Sequence, residues 1–333
     1  MQAHPTSSTI VSDFAFSDAD RQRLESALGS GQLILVQSHT ELPDALSAHP
    51  EANILCTFRP PADALERAPG LKWIALSSAG ADGAIRAGLV RPGGIPVVTT
   101  ANGVHSVAIS EFVFSLLLMW TRHWPELLRM QNERHWPQRS EWQNLRSSEL
   151  EGATLGVIGL GAIGRHIARL GRAFGMRVIA TRRSASPDAH DSDVDILIPP
   201  SRLAELLAES DYVVIAVPRT GETQHLIGEA ELRQMKPTAF LVNIARGAVI
   251  DEAALIDALR NGAIAGAGLD VFEQEPLPED SPLWTMPNVI VAPHLSGNTV
   301  AYSRRFTDLL LDNLERYHRG LALRNVVDAG RGY

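Results

Sequence analysis

The chain of 333 residues has one cysteine, Cys56, so it holds no intramolecular disulfide, and no Cys/His spacing resembles a structural zinc site. No metal is expected, and a reducing, cytoplasmic compartment fits. Lysine is nearly absent, at two of thirty basic residues (Lys72 and Lys236). Arginine is therefore the default cation, and any one arginine must be judged by its position. Basic charge is also short overall, with a formal net charge of −8 and a pI near 5.8. Tracking a nucleic-acid backbone needs a basic face, so no nucleic-acid partner is expected, although a local pocket for one small phosphate survives. Long apolar runs are missing as well. "FVFSLLLMW" (Phe112–Trp120) is too short to span a bilayer and reads as a buried helix, so no membrane is expected. The stretch "MQAHPTSSTIVSDF" has no basic segment followed by an apolar one, so no signal peptide is expected.

What is present describes a soluble, globular chain: 45% of residues are hydrophobic and 20% charged. Its length accommodates two domains of ordinary size. Short apolar runs alternate with helical patterns throughout, which predicts an α/β protein with parallel sheets. "QLILVQ", "ANILCTF", "LKWIALSS" and "IPVVTT" read as strands of a first domain. A long helix is predicted from Ser106 to about Met130, connecting the domains. After it comes a polar arm, "QNERHWPQRSEWQNLRSSELEG", whose tryptophans either face a partner or pack on their own domain. From Ala153 the alternation is regular, with strands at "TLGVIG", "MRVIAT", "YVVIAVP", "AFLVNIA", "GAGLDV" and "NVIVAP". "DEAALIDALRNG" reads as a helix capped by Asp251 and stopped by Gly262. A last helix, "RRFTDLLLDNLERYHRG", precedes a tail, "LALRNVVD", expected to return to the first domain.

Gly159, Gly161 and Gly164 in "GVIGLGAIGRHIARLG" have the G-x-G-x-x-G spacing, directly after a strand and before a helix. The first glycine permits the tight turn, the second lets a pyrophosphate approach the backbone, and the third allows close helix packing. The helix N-terminus, at Ala162 and Ile163, supplies unpaired N–H donors. Where an NAD-preferring fold places an acidic residue for the ribose hydroxyl, this chain has Arg182, Arg183 and Ser184. Two guanidiniums and a hydroxyl suit a 2′-phosphate, since arginine grips phosphate oxygens in a fork. The alternative is two solvated arginines in an arginine-rich chain. NADP(H) is the preferred reading, with NAD(H) still possible.

Arg246 in "LVNIARGAVIDEAAL", Glu275 in "GLDVFEQEPLPED" and His294 in "NVIVAPHLSGNT" each follow a predicted strand of one parallel sheet. Ligands of such sheets bind outside the carboxyl ends of the strands, so the three can meet there. A guanidinium can clamp a carboxylate and an imidazole can protonate a carbonyl oxygen. A carboxylate beside that imidazole favours its protonated form.

Together "SSAGAD", "GLGAIG", "VPRTGETQHLIG", "NIARGAVID", "LDVFEQEPL", "APHLSGNT" and "GLALRNVV" resemble the D-isomer-specific 2-hydroxyacid dehydrogenase family, from about Leu71 to the C-terminus. The resemblance implies two Rossmann-like or flavodoxin-like domains with parallel sheets and an interdomain cleft. Residues 1–103 plus 296–333 would form the substrate domain and 104–295 the NAD(P)-binding domain, with hinge crossings at Val104–Ser106 and Pro293–Ser296. Arg246 would hold the substrate carboxylate and carbonyl, together with backbone N–H groups at Ala79 and Gly80. His294 would be the general acid, and Glu275 its partner. Pro218 to Thr223, Ala245, Asp270 and His294 would line the cofactor, with Asp270 facing the nicotinamide carboxamide; a strand-ending aspartate also commonly caps the following turn. Arg182 departs from the family's commoner aspartate and resembles its NADP-preferring glyoxylate and hydroxypyruvate reductases. The expected activity is thus NADPH-dependent reduction of a small 2-keto acid to the D-2-hydroxy acid. A dehydrogenase for a bulkier acid such as phenylpyruvate, or an NAD(P)H-sensing corepressor-like protein with little turnover, are the alternatives. The family and the arm with Trp124, Trp136 and Trp142 imply a homodimer.

Overall fold

The structure is a computed structural model that describes residues 7–186 and 189–330. The chain divides into two compact units, Met1–His105 with Thr299–Tyr333, and Ser106–Asn298. In the first unit, β1 (Thr9–Ser12), β2 (Gln32–Leu35), β3 (Ile54–Thr57), β4 (Trp73–Leu76) and β5 (Val97–Thr99) form a parallel sheet in the order β2-β1-β3-β4-β5. This is the flavodoxin-like order. Successive side chains point to opposite faces, and the core divides accordingly. Val11, Leu55, Ile74 and Val98 pack on one face, and Ile10, Ile54, Cys56 and Trp73 on the other. Burial pushes the Cys56 thiol up to about 12, so it stays a neutral, packed side chain.

The tail does return to this unit. The Val327 N–H donates to the Val98 carbonyl at 2.9 Å, and the Thr100 N–H to the Asn325 carbonyl at 3.0 Å, so the tail lies antiparallel to β5. Ahead of it the helix Tyr302–His318 buries Phe306, Leu310 and Leu314 against the sheet.

In the second unit, β6 (Thr154–Ile158), β7 (Arg177–Thr181), β8 (Ile196–Ile198), β9 (Tyr212–Ile215), β10 (Phe240–Asn243), β11 (Gly266–Leu269) and β12 (Val289–Val291) form a parallel sheet, in the order β12-β11-β10-β9-β6-β7-β8. The order reverses between β6 and β9, so the switch point lies beside the glycine turn that follows β6. Both faces are covered, as a parallel sheet requires. Leu155, Val157, Val214 and Val242 face the helices Ser106–Thr121 and Ala162–Ala173, while Val213, Ile215 and Leu241 face Leu206, Leu232 and Leu255.

One expectation needs correction. The helix begun at Ser106 ends at Thr121, and a second one runs Trp124–Glu133. Between them His123 adopts φ +56°, and Pro125 sits in the first turn of the second helix, where its missing N–H costs nothing. Strands β1 and β8, "TIVS" and "ILI", were not expected, because each apolar run is flanked closely by polar residues, Ser7, Ser8, Ser12 and Asp13 for β1 and Asp193 and Asp195 for β8. Among the described residues no helix is long and apolar enough to cross a membrane.

The Asp251 carboxylate accepts the Ala254 N–H at 3.0 Å, capping the helix Glu252–Arg260 that buries Leu255 and Leu259. Asp251→Ala is expected to lower the thermal midpoint by about 2–4 °C, from loss of roughly 1 kcal/mol of capping. An unchanged midpoint in a melting experiment would show that the cap contributes nothing.

Candidate active site

The glycine turn is built as a dinucleotide fold needs it. Gly159 has φ +103°, a conformation that L side chains rarely adopt. A Cβ on Gly164 would lie 2.1 Å from the Gly159 carbonyl oxygen, so only glycine lets the helix start so close to the strand. At Gly161 nothing lies within 4 Å of an added Cβ. That open backbone precedes Ala162 and Ile163 at the helix N-terminus, so the turn fits a pyrophosphate. The Thr181 hydroxyl, at the end of β7, accepts the Gly159 N–H at 3.1 Å and brings Arg182 next to the turn.

Arg182 is partly exposed and is not alone. Its Nη1 donates to Asp191 Oδ2 at 3.1 Å, while its buried Nε has no acceptor among the described residues. Asp191 also receives both Nη groups of Arg165, at 2.6 and 2.8 Å, and Arg165 and Arg169 both reach Asp193. The Arg165 guanidinium holds the Asp191 carboxyl below the usual carboxylate range. A carboxylate is therefore present at the end of β7 in space, though the sequence shows none there. Arg183 lies 3.7 Å from Glu222, and Ser184 follows in the same turn. On the next loop the Thr223 hydroxyl donates to the Pro218 carbonyl at 2.7 Å and accepts the Thr220 N–H at 2.7 Å, closing the segment after β9.

The carboxyl ends of β10, β11 and β12 are joined in series. The Asp270 N–H donates to the Asn243 carbonyl at 3.1 Å, the Ala292 N–H to the Leu269 carbonyl at 2.8 Å, and the His294 N–H to the Asp270 carbonyl at 2.9 Å. Asp270 is fully buried, and its carboxylate accepts the N–H groups of Leu295 (2.7 Å) and Ser296 (3.1 Å). The cap that a strand-ending aspartate can make is thus formed, and it fixes the turn on which His294 sits at φ +53°. His294 Nδ1 and Glu275 Oε2 are 2.8 Å apart, and Glu275 Oε1 accepts the Phe272 N–H at 3.1 Å. The imidazole is half exposed (51%), so the pair is oriented yet accessible.

Arg246 follows β10, half-buried, and its Nη1 donates to the Ala245 carbonyl at 2.7 Å. Two residues not singled out from the sequence hold its turn. The buried Asn243 side chain accepts the Ala245 N–H at 3.0 Å and donates to the Arg246 carbonyl at 3.1 Å. Gly247 lies against the Phe272–Glu273 backbone so closely that a Cβ there would be 1.8 Å from the Phe272 carbonyl carbon. The signal for Asn243 was its place at a strand end before a turn. Gly247 had no signal beyond being a glycine.

Ala79 and Gly80 belong to the other unit, in the turn after β4. There the Ser78 hydroxyl donates to the Gly80 carbonyl at 2.7 Å, and the Tyr302 hydroxyl donates to the Ser77 carbonyl. Ala79 is exposed.

A glycine turn at the switch point and a paired imidazole at the same sheet's carboxyl edge define a nicotinamide-dinucleotide oxidoreductase. Residues 114–296, more than half of the chain, match the D-isomer specific 2-hydroxyacid dehydrogenase NAD binding domain. A glyoxylate reductase of Korarchaeum cryptofilum is 38% identical over 275 residues, covering 80% of this chain and 79% of the relative. A D-isomer specific 2-hydroxyacid dehydrogenase of Xanthobacter autotrophicus Py2, solved with NADPH and MES, superposes with TM-score 0.83 at 30% identity over 98% of this chain and 100% of that one. An NADPH-dependent glyoxylate/hydroxypyruvate reductase of Sinorhizobium meliloti, solved with NADP and sulfate, gives 0.82 at 25% identity, with the same coverage. The chain belongs to the D-isomer specific 2-hydroxyacid dehydrogenase family and is an NAD(P)-dependent oxidoreductase acting on 2-hydroxy acids.

Gly247→Ala is expected to push Phe272 and Glu273 away from the Arg246 turn. It should destabilise the protein by about 1–3 kcal/mol and reduce turnover more than cofactor binding. Wild-type turnover and denaturation midpoint would contradict this packing role.

Proposed function

We propose that the protein reduces a small 2-keto acid, of the glyoxylate or hydroxypyruvate type, to the D-2-hydroxy acid, with NADPH as the preferred reductant. The observation that carries this reading is the His294–Glu275 pair, 2.8 Å apart, on the sheet edge that also presents Arg246. When bound, the reduced nicotinamide supplies a hydride for the carbonyl carbon. His294 donates the proton to the carbonyl oxygen through Nε2, because Nδ1 is taken up by Glu275. The Arg246 guanidinium pairs with the substrate carboxylate, and the backbone N–H groups of Ala79 and Gly80 add donors to it. The turn holding those donors is steadied by Ser78 and Tyr302.

Gly159, Gly161, Ala162, Ile163 and Gly164 would receive the pyrophosphate, and Arg182, Arg183 and Ser184 the 2′-phosphate. Pro218 to Thr223, Ala245, Asp270 and His294 would line the nicotinamide end. Asp270, buried beneath the His294 turn, would face the carboxamide once the nicotinamide is seated. In this reading residues 1–103 with 296–333 form the substrate domain, and 104–295 form the cofactor domain that also carries Arg246 and His294. The NADPH and NADP held by the Xanthobacter and Sinorhizobium relatives support this choice of cofactor. The protein works in the cytoplasm, a compartment in which its one buried thiol needs no protection.

The protein is also a homodimer in this reading, through the surface on which Trp124, Trp136 and Trp142 are 47%, 84% and 54% exposed. Sedimentation should give twice the chain mass at micromolar concentration. A monomer at all concentrations would remove the dimer.

Absorbance at 340 nm should fall when glyoxylate or hydroxypyruvate is added with NADPH, and fall more slowly with NADH. Arg246→Ala is expected to abolish that turnover while leaving NADPH binding largely intact. Near-normal turnover in the variant, or no turnover of any 2-keto acid by the wild type, would overturn the proposal.

A further inference from the structure

The arginine cluster beside β7 contains a carboxylate that the cofactor reading does not use. Asp191 is 8% exposed and sits nine positions beyond Arg182, yet it takes the Arg182 Nη1 at 3.1 Å. Its stronger bonds are the two to Arg165, at 2.6 and 2.8 Å, and its Oδ1 also accepts the Asp193 N–H at 3.2 Å. Asp191 is thus fixed, whereas among the described residues Arg182 is held to it by one longer bond. The pose is costly for Arg182. Its buried Nε has no acceptor among the described residues, and an unsatisfied buried donor is destabilising. The Asp191 charge offsets that cost and keeps the guanidinium where it is. A phosphate dianion offers several acceptor oxygens and would satisfy the fork better.

We propose that Asp191 is a specificity-determining residue: it holds the Arg182 guanidinium in an ion pair against which the 2′-phosphate of NADPH must compete, and so restrains discrimination between NADPH and NADH. The inference rests on the reading of Arg182 as the 2′-phosphate ligand. NADH has a hydroxyl at that position and needs no guanidinium, so Asp191 does not weaken its binding. The negative charge of Asp191 also repels the dianion directly. The first effect acts on NADPH alone, and the second falls harder on NADPH, whose 2′-phosphate lies nearest Asp191 in this reading.

Neutralising this carboxylate should therefore sharpen the preference. The dissociation constants of NADPH and NADH, read from nicotinamide fluorescence, are compared in the full-length wild type and in Asp191→Asn, Asp193→Asn and Arg182→Ala. Asp191→Asn should tighten NADPH roughly tenfold and leave NADH unchanged. Asp193→Asn removes the same formal charge without touching the Arg182 pair, and it should leave the ratio of the two constants as it was. Asp191→Ser is measured alongside, so that an Asn variant that loses its Arg165 contacts and fails to fold does not decide the outcome.

Weaker NADPH binding in Asp191→Asn, or equal shifts for both cofactors, would overturn the competition. Tightening by Asp193→Asn as large as that by Asp191→Asn would replace the pair with a diffuse field and overturn it too. Arg182→Ala separates the two layers. If it weakens NADPH but not NADH while the Asp191 variants change nothing, the Asp191 proposal fails alone. If it leaves both constants unchanged, the 2′-phosphate reading fails and the proposal with it.

Discussion

One buried carboxylate ties the candidate site together. Asp270 ends β11, and its oxygens accept the N–H groups of Leu295 and Ser296 in the turn that follows β12. Parallel strands leave backbone groups unpaired at their carboxyl ends, and a fully buried aspartate is tolerable only when such donors satisfy it. The two requirements meet in the same contact. The turn it secures holds His294 at φ +53°, an uncommon conformation for a residue with a Cβ. Because the His294 N–H also donates to the Asp270 carbonyl, the ring is set by the strand rather than by a free loop.

From that anchor the site extends along the sheet edge. Glu275 bridges the Phe272 N–H and the imidazole, so the β11 turn and the β12 turn share one carboxylate. Gly247 lets the β10 turn, with Arg246, lie directly on Phe272 and Glu273. Asn243 closes that turn from inside, using both ends of its amide. Arg246, Glu275 and His294 thus follow three neighbouring strands, β10, β11 and β12. The Glu275–His294 pair is held in place before any ligand binds, the kind of preorganisation that stabilising a developing charge requires.

Much of this was legible in the sequence, for definite reasons. The glycine spacing, the apolar runs of β6, β9 and β10 and the placement of Arg246, Glu275 and His294 after strands are local patterns tied to known geometry. The tail's return to β5 could be anticipated because it continues no strand and helix unit. What escaped notice depends on contacts between distant residues. Asp191 is separated from Arg182 by a turn of no fixed length, so a search for an acidic residue at the strand end finds only arginines. Gly247 matters because of what lies across from it, namely Phe272, which no spacing rule encodes. Strands β1 and β8 have short apolar runs hemmed in by serines and aspartates, and the break at His123 is marked only by Pro125.

The central claim is that His294, held by Asp270 and Glu275, delivers the proton during keto-acid reduction. It is tested most directly by measuring kcat for glyoxylate reduction in His294→Ala alongside the dissociation constant of NADPH. The account predicts a fall in kcat of about 10²–10⁴ with NADPH binding largely preserved. A kcat close to that of the wild type, or a loss of turnover accompanied by an equal loss of NADPH affinity, would contradict it.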